Sequence, residues 1–213
     1  MFLYKTNFLM RAFYSDFVWR KSEKNTIYLT FDDGPIPEIT EFVLETLQRF
    51  DAKATFFCIG DNIQKNSWVF DKIIDQKHAV GNHTFNHLKG WETDDDTYIE
   101  NAQKCQLVLE KQDTRVKKQE TQKLLFRPPY GRIKKSQAKV LLPDYQIIMW
   151  DVLSGDFSKD ISPEKCLRKT IQYTEGGSIV VFHDSIKASK NMMFTLPRFL
   201  EHFSEKGFQF KSL

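Results

Sequence analysis

The sequence predicts an α/β fold, a distorted barrel of about seven parallel strands surrounded by helices. Apolar runs with strand spacing alternate about seven times with segments of helical spacing, which is typical of a parallel sheet covered by helices. Polar residues suited to catalysis come directly after strands, and in a barrel these positions meet at one mouth. The first strand leads into Asp-Asp-Gly-Pro, whereas an open doubly wound sheet usually has a Gly-rich phosphate loop there.

The composition indicates one folded domain. The 213 residues can bury a substantial core, and we expect residues 25–213 to form a single domain. The 19 phenylalanines argue against disorder. A net charge of +3 is too small to indicate nucleic acid, so no such partner is expected. The three cysteines lie far apart, which predicts neither a disulfide framework nor a cysteine-based zinc site.

Residues 1–24 form an aromatic segment that we expect to pack on the domain. Four of its side chains have the spacing of one side of a helix: Phe2, Leu9, Phe13 and Phe17. Shallow membrane contact through residues 1–20 is the alternative. The segment has neither the pattern of a secretory signal nor the length of a transmembrane helix. We therefore expect a cytoplasmic location.

The first half of the chain predicts three strands and three helices. Residues 26–29 are β-branched and aromatic and predict a buried strand that ends at Asp32-Asp33 and is broken by Gly34-Pro35. The next elements follow from apolar spacing: a helix over 37–50, a strand over 54–59, a helix over 68–75, a strand over 78–81, and a helix from Thr93, whose hydroxyl can cap it.

The second half continues this alternation after a charged loop over 112–123. Strands are predicted over 124–126, 145–150, 178–182 and 208–210. Helices are predicted over 136–142, 163–173 and 194–206. The unusual polar residues that follow strands are Asp32-Asp33, His83 and His87, the segment 127–130, the loop 151–156, and His183.

Carboxylates and imidazoles at these positions predict a metal site with acid–base chemistry. Neighbouring strand residues point in opposite directions, so one of Asp32 and Asp33 can hold a metal while the other handles a proton. His83 and His87 can face one ion from a helix or a loop of helical pitch. Two imidazoles and one carboxylate form a catalytic zinc set that leaves a position for water. Asp32 and His183 are the candidates for proton transfer.

The segment 127–130 adds a cation and a rigid backbone. Arg127 can pair with a carboxylate at the mouth and keep it ionised. Pro128 and Pro129 stiffen the chain, so that the Tyr130 N–H can meet an oxyanion without reorganising. Taken singly, each motif has an ordinary alternative: a polar turn, an incidental histidine pair or a surface arginine.

Five segments together resemble the ordered motifs of the polysaccharide deacetylases, the NodB-homology enzymes of carbohydrate esterase family 4. They are Thr30-Phe31-Asp32-Asp33-Gly34, His83-Thr84-Phe85-Asn86-His87, Arg127-Pro128-Pro129-Tyr130-Gly131, the loop after Trp150, and Val181-Phe182-His183. The resemblance spans residues 26–210 and implies a deformed (β/α) barrel. It also implies metal-dependent removal of N-acetyl groups from amino sugars of a chitin-like or peptidoglycan-like polysaccharide.

The resemblance implies a role for each matching residue. Asp32 is the base, His183 the acid, Arg127 orients Asp32, and Asp156 tunes His183. The ligands of one divalent ion are Asp33, His83 and His87, with Zn²⁺ as first choice and Co²⁺, Ni²⁺ or Mn²⁺ as alternatives. Substrate contacts are implied for Tyr130, Pro128, Phe157 and Val181.

Two of these positions depart from the family pattern. Phe157 stands where Trp is frequent, and Val181 stands where Leu is usual. Both changes affect the shape of the acetyl pocket and neither removes a catalytic atom. Two alternatives remain open: hydrolysis of a small cyclic amide on the same scaffold, and a non-catalytic metal-binding relative. No protein partner is predicted.

Overall fold

The structure is a computed structural model that describes residues 3–113 and 123–213. Most of the loop predicted over 112–123 lies outside the described residues, as does Phe2. In the part of the chain that is described, no helix has both the length and the apolar character needed to cross a bilayer.

Parallel strands form one curled sheet, a half-barrel, which confirms the predicted fold class. The described strands are β1 (Thr26–Asp32), β2 (Thr55–Cys58), β3 (Ala79–Asn82), β4 (Leu124–Phe126), β5 (Tyr145–Ile147), β6 (Val152–Leu153), β7 (Ile179–His183) and β8 (Gln209–Lys211). Seven of them follow the order β5-β4-β3-β2-β1-β7-β6, and β8 pairs with the beginning of β1. The central strand β1 is buried along its whole length.

Helices connect the strands and cover the outer side of the sheet. The described helices are α1 (Phe8–Phe13), α2 (Ile39–Arg49), α3 (Gly60–Lys65), α4 (Ser67–Asp75), α5 (Asp95–Gln112), α6 (Lys135–Leu141), α7 (Pro163–Tyr173) and α8 (Ser189–Glu205). In α2, Val43, Leu44 and Leu47 are buried on one side, as the apolar spacing predicts. They share one core with Phe182 of β7 and Phe199 of α8.

The N-terminal segment bonds to both edges of the half-barrel. At the β5 edge, the Val18 N–H donates to the Ile147 carbonyl (2.9 Å) and its carbonyl accepts from the Met149 N–H (2.7 Å). At the opposite edge, the Leu153 N–H of β6 donates to the Tyr4 carbonyl (2.9 Å). The segment therefore satisfies backbone groups that open edge strands would otherwise expose.

A buried carboxylate anchors this segment. Asp151 is fully buried and accepts hydrogen bonds from Lys5 (2.8 Å), from Ser178 (2.6 Å) and from the Arg11 guanidinium. Burying a carboxylate is unfavourable unless it is paired, and here two cations pair with it. Asp151 therefore holds the N-terminal segment in place. The prediction that it lies with the site residues at the mouth of the barrel is wrong.

Helix α1 is shorter than the apolar spacing predicts. It ends at Phe13, and none of its residues is buried. Phe17 lies beyond it and is buried against Trp19 and other core residues. The prediction that Leu9, Phe13 and Phe17 share one side of a helix is therefore wrong.

Other elements differ from prediction: two short ones were not predicted, one strand ends earlier, and one helix begins at a different capping residue. Helix α3 and strand β6 were not predicted: α3 has a single buried apolar side chain, Ile63, and β6 is two residues that pair with β7. Strand β5 ends at Ile147. Beyond it the Met149 N–H donates to the Val18 carbonyl (2.7 Å) and the Asp151 N–H to the Ile179 carbonyl of β7 (3.0 Å). Helix α5 is capped by Asp94, whose carboxylate accepts from the Thr97 N–H (2.9 Å), and not by Thr93.

Candidate active site

The carboxyl ends of the strands bring most of the predicted site residues into one cleft. In the sheet register, Asp32 at the end of β1 lies beside His183 at the end of β7. The cleft has a volume of about 760 Å³. The predicted residues that line it are Asp32, Asp33, His83, His87, Tyr130, Phe157, Val181 and His183. Three further predicted residues do not line it but are buried in the structure: Arg127, Pro128 and Asp156.

Asp33, His83 and His87 form a cluster suited to one metal ion. Their ligand atoms all lie within 4.8 Å of one another. Asp33 Oδ1 lies 3.2 Å from His87 Nε2 and 3.7 Å from His83 Nε2. This oxygen is buried and accepts no hydrogen bond in the described structure. A buried carboxylate oxygen left unbonded between two imidazole nitrogens fits a divalent cation.

The protonation of these groups favours metal binding. His83 Nδ1 lies 2.7 Å from the Arg127 carbonyl oxygen, which can only accept, so Nδ1 carries the hydrogen and Nε2 keeps its lone pair. Burial lowers the pKa of His83 to about 4, so its ring is neutral at pH 7. Burial raises the pKa of Asp33, but the neighbouring imidazoles of His87, His183 and His83 outweigh it, and the net pKa is lowered. Asp33 is therefore ionised.

The two histidines are presented by a loop, and the helical alternative for this segment is wrong. After β3, Thr84 and His87 have positive φ angles of 62° and 56°. Asn101 of α5 fixes the loop, since its side-chain oxygen accepts from the Phe85 N–H (2.8 Å) and the Asn86 N–H (2.9 Å). The four-residue spacing thus brings both imidazoles together through loop geometry.

Arg127 is fully buried and bonds directly to Asp32. Its Nη1 donates to Asp32 Oδ1 and to the Thr30 hydroxyl, each at 2.7 Å. The other guanidinium nitrogens donate to the carbonyls of Ile148 (3.2 Å) and Met149 (2.9 Å). The prediction that Arg127 pairs with a carboxylate at the mouth is confirmed, and its surface alternative is wrong. Burial lowers the pKa of Arg127, and the Asp32 carboxylate opposes that shift.

Asp156 holds His183 with two hydrogen bonds. Its Oδ1 lies 2.8 Å from His183 Nδ1, and its Oδ2 accepts from the His183 N–H (2.7 Å). Burial disfavours the charged ring, but the charge and hydrogen bond of Asp156 outweigh it, and Asp33 and Asp32 add to them. The pKa of His183 is raised to about 9. The ring is therefore an imidazolium at neutral pH, with Nε2 available to donate a proton.

Aromatic and apolar side chains form the walls. The rings of Tyr130 and His87 have centroids 4.5 Å apart, and Phe157 meets His183 edge-on at 4.9 Å. Tyr130 has a positive φ of 59°, in the turn that follows Pro128. Val181 is buried at the base of the cleft.

Asp184 is a site residue that sequence reasoning left without a role. It is buried and accepts from the Thr40 hydroxyl (2.6 Å) and the Gly34 N–H (3.0 Å). It thereby ties β7 and α2 to the turn that presents Asp33. A methyl group on Gly34 would overlap with Asp184 Oδ2, so any other residue there would have to displace this buried carboxylate. The only signal in the sequence is an acidic residue directly after His183.

Together these residues define a class of protein. A parallel half-barrel carries a candidate metal triad, an aspartate paired with arginine on one side, and an imidazolium on the other. This arrangement is suited to hydrolysis of an acyl–nitrogen bond, which needs a base for water and an acid for the leaving nitrogen.

The chain belongs to the polysaccharide deacetylase family, whose sequence model matches residues 20–142. It is thus a hydrolase acting on amide bonds. A peptidoglycan-N-acetylglucosamine deacetylase of Bacillus cereus is 30% identical over 192 residues, which cover 89% of this chain and 86% of the relative. A solved peptidoglycan N-acetylglucosamine deacetylase superposes with a TM-score of 0.86 at 26% identity, covering 98% and 95% of the two chains.

The same fold also occurs in a protein described as inactive. A carbohydrate esterase family 4 pseudoenzyme from Bacillus anthracis has a TM-score of 0.79 at 25% identity, and the match covers 92% of this chain and 66% of that one. Active and inactive proteins of this fold therefore differ in their individual site residues.

Proposed function

We propose that the protein removes N-acetyl groups from amino sugars of a peptidoglycan-type glycan with the help of one divalent cation. The observation that carries the proposal is the joint presence of the Asp33–His83–His87 cluster, the Arg127–Asp32 pair and the Asp156–His183 pair around one cleft. Each is a component that deacetylation needs.

Asp33, His83 and His87 would hold the cation. Two imidazoles and one carboxylate suit Zn²⁺ best, and Co²⁺, Ni²⁺ or Mn²⁺ can use the same ligands. When bound, the cation polarises the acetyl carbonyl and makes water a better nucleophile near neutral pH.

The protein's own groups would move the protons. Asp32, fixed by Arg127, accepts a proton from the water that attacks the acetyl carbon. The Tyr130 N–H donates to the oxygen that becomes negative. His183 gives its proton from Nε2 to the sugar nitrogen as the carbon–nitrogen bond breaks, which releases acetate and a free amine.

The charges on the rim favour an anionic glycan over neutral chitin. Three cations line the cleft: Lys89, Arg132 and Lys187. Among the described lining residues the only carboxylates are Asp32 and Asp33, which the proposal assigns to the base and the metal. Arg132 and Lys187 form no ion pair with any described residue, whereas Lys89 lies 3.1 Å from Glu92. Peptidoglycan carries carboxylates on its peptides and muramic acid, so it complements this rim.

The test combines elemental analysis of the purified protein with acetate release from chitin oligomers, peptidoglycan fragments and a panel of cyclic amides. We expect close to one divalent ion per chain, loss of activity on chelation, and acetate release that is greatest from the peptidoglycan fragments. Hydrolysis of cyclic amides alone would overturn the proposed substrate. A metal-loaded protein inactive on every substrate would favour the non-catalytic alternative.

Asp32→Asn tests the assignment of the base. The variant should bind metal as the wild type does, because Asp32 is outside the ligand cluster, while acetate release falls by about 10²–10⁴. Asp71→Asn, an exposed aspartate on α4, is the matched control and should keep full activity. Wild-type acetate release by Asp32→Asn would show that another group accepts the proton.

A further inference from the structure

The start of the chain carries an apolar surface that the fold leaves uncovered. Of the eleven large apolar side chains that are exposed among the described residues, five lie within residues 3–13 and form what we call the N-terminal apolar face: Leu3, Phe8, Leu9, Met10 and Phe13. Phe8 and Phe13 are 76% and 75% exposed. Exposing so many large apolar side chains within eleven residues is unfavourable in water and usually marks an interaction site.

Hydrogen bonds and ion pairs tie the segment that carries this face to the rest of the fold. The Lys5 and Arg11 side chains point inward to the buried Asp151. The Asn7 side chain caps α1 by accepting from the Met10 N–H (2.9 Å). With Arg11 turned to the protein, α1 leaves its apolar side chains exposed.

A basic groove adjoins this face. Phe13 lines a cavity of about 560 Å³ together with three lysines, which we call the lysine groove: Lys123, Lys135 and Lys139. Asp16 is the one carboxylate among the described residues of its lining. None of the three lysines forms an ion pair with a described residue, and Lys123 donates to the Leu142 carbonyl (2.7 Å).

We propose that the N-terminal apolar face and the lysine groove together dock the protein on an anionic lipid surface. Aromatic and aliphatic side chains would enter the boundary between headgroups and acyl chains, while the lysines meet the lipid phosphates. Beside Phe13 lie three lysines that form no ion pair with a described residue. This positive charge matches an anionic lipid surface better than the apolar pocket of a partner protein, so the charge favours the membrane. The proposal is independent of the catalytic assignment.

Vesicle sedimentation tests the proposal with the full chain. The protein should bind vesicles of phosphatidylcholine mixed with phosphatidylglycerol, and it should bind phosphatidylcholine alone much more weakly. Each lysine near an anionic surface contributes about fivefold to binding, so Lys135→Gln with Lys139→Gln should weaken it about 25-fold. A control pair of exposed lysines elsewhere, Lys165→Gln with Lys206→Gln, should bind nearly as the wild type does.

Replacing Phe8 and Phe13 measures how much their insertion into the lipid contributes to binding, apart from the attraction between lysines and lipid phosphates. Phe8→Ser with Phe13→Ser should reduce binding at least about tenfold per side chain. Leu107→Ser, at a leucine of α5 that is 67% exposed, is the matched control and should leave binding unchanged. Because none of these side chains is buried, thermal unfolding and acetate release from soluble fragments should stay at wild-type levels.

Three outcomes would overturn the proposal. The first is equal binding of the wild type to neutral and anionic vesicles. The second is unchanged vesicle binding by the Phe8→Ser, Phe13→Ser variant. The third is a dimer in light scattering that this variant converts to a monomer, since the face would then be a contact between two copies of the chain.

Discussion

The pair formed by Asp156 and His183 gives a quantitative prediction for Asp156→Asn. The carboxylate supports the imidazolium with its charge and with a hydrogen bond to Nδ1 at 2.8 Å. With this support the pKa of His183 is raised from 6.5 to about 9. An uncharged asparagine removes the charge, and we expect the pKa of His183 to return towards its ordinary value.

The loss of activity follows from the protonated fraction of the acid. At pH ~8 an imidazole with the raised pKa is about 90% protonated, whereas one with the ordinary pKa is about 3% protonated. Asp156→Asn should therefore lower kcat/KM about 30-fold at pH ~8 and less than about twofold at pH ~6. Because the acid must carry its proton, the alkaline limb of the pH profile moves to lower pH.

The assay is acetate release from soluble peptidoglycan fragments, measured across the neutral and alkaline range for each variant. Asp160→Asn, an exposed aspartate in the same loop, is the control and should keep the wild-type profile. An alkaline limb that stays in place in Asp156→Asn would refute the reasoning. A loss of equal size at every pH would also refute it, because it would mean that Asp156 positions the ring without setting its charge.

Three further predictions concern stability. Arg127→Met should cost about 3–5 kcal/mol by leaving the buried Asp32 carboxylate unpaired, and adding Asp32→Asn should recover part of this loss in denaturant unfolding. Gly34→Ala should destabilise by about 1–3 kcal/mol and weaken metal binding, because its methyl group overlaps with a buried carboxylate. At Gly207 an added methyl group meets no atom within 4 Å, although the φ of 77° disfavours alanine there. Gly207→Ala should therefore leave metal binding unchanged, and equal loss of metal in both variants would refute the overlap. Because the pKa of His183 is higher in the folded state, its protonated ring contributes to the free energy of unfolding. This contribution should be fully present below pH 6.5 and should disappear as the pH rises through about 9. Denaturant unfolding that shows no loss of stability over this pH range would contradict the prediction. So would a loss of the same size in a His183→Gln variant.

Local sequence determined the class of fold and the positions of the candidate catalytic residues. Parallel strands end on the same side, so residues at or directly after strand ends had to meet there. Asp32, His83, Arg127 and His183 are examples. Strand and helix spacing was enough for this, because it depends only on neighbouring residues. The family motifs added the pairing of Asp156 with His183, which spacing alone does not give.

Tertiary contacts decided what local spacing cannot encode. Asp151 follows a strand as the site residues do, yet it anchors Lys5 and Arg11, because its partners come from the distant chain start. Asp184 became recognisable only when the fold placed Gly34 beside it. Strand β6 was not predicted for a similar reason. A two-residue strand has no recognisable pattern of its own and is defined by its pairing with β7, which is distant in sequence.

The exposed N-terminal apolar face shows the same division. The sequence fixes its apolar composition, but composition does not tell whether a side chain lies against the core or in water. That outcome depends on Asp151, which turns the cations of the segment inward and leaves Phe8 and Phe13 outside. Whether a side chain is buried depends on contacts between residues far apart in sequence, and these contacts form only in the folded chain.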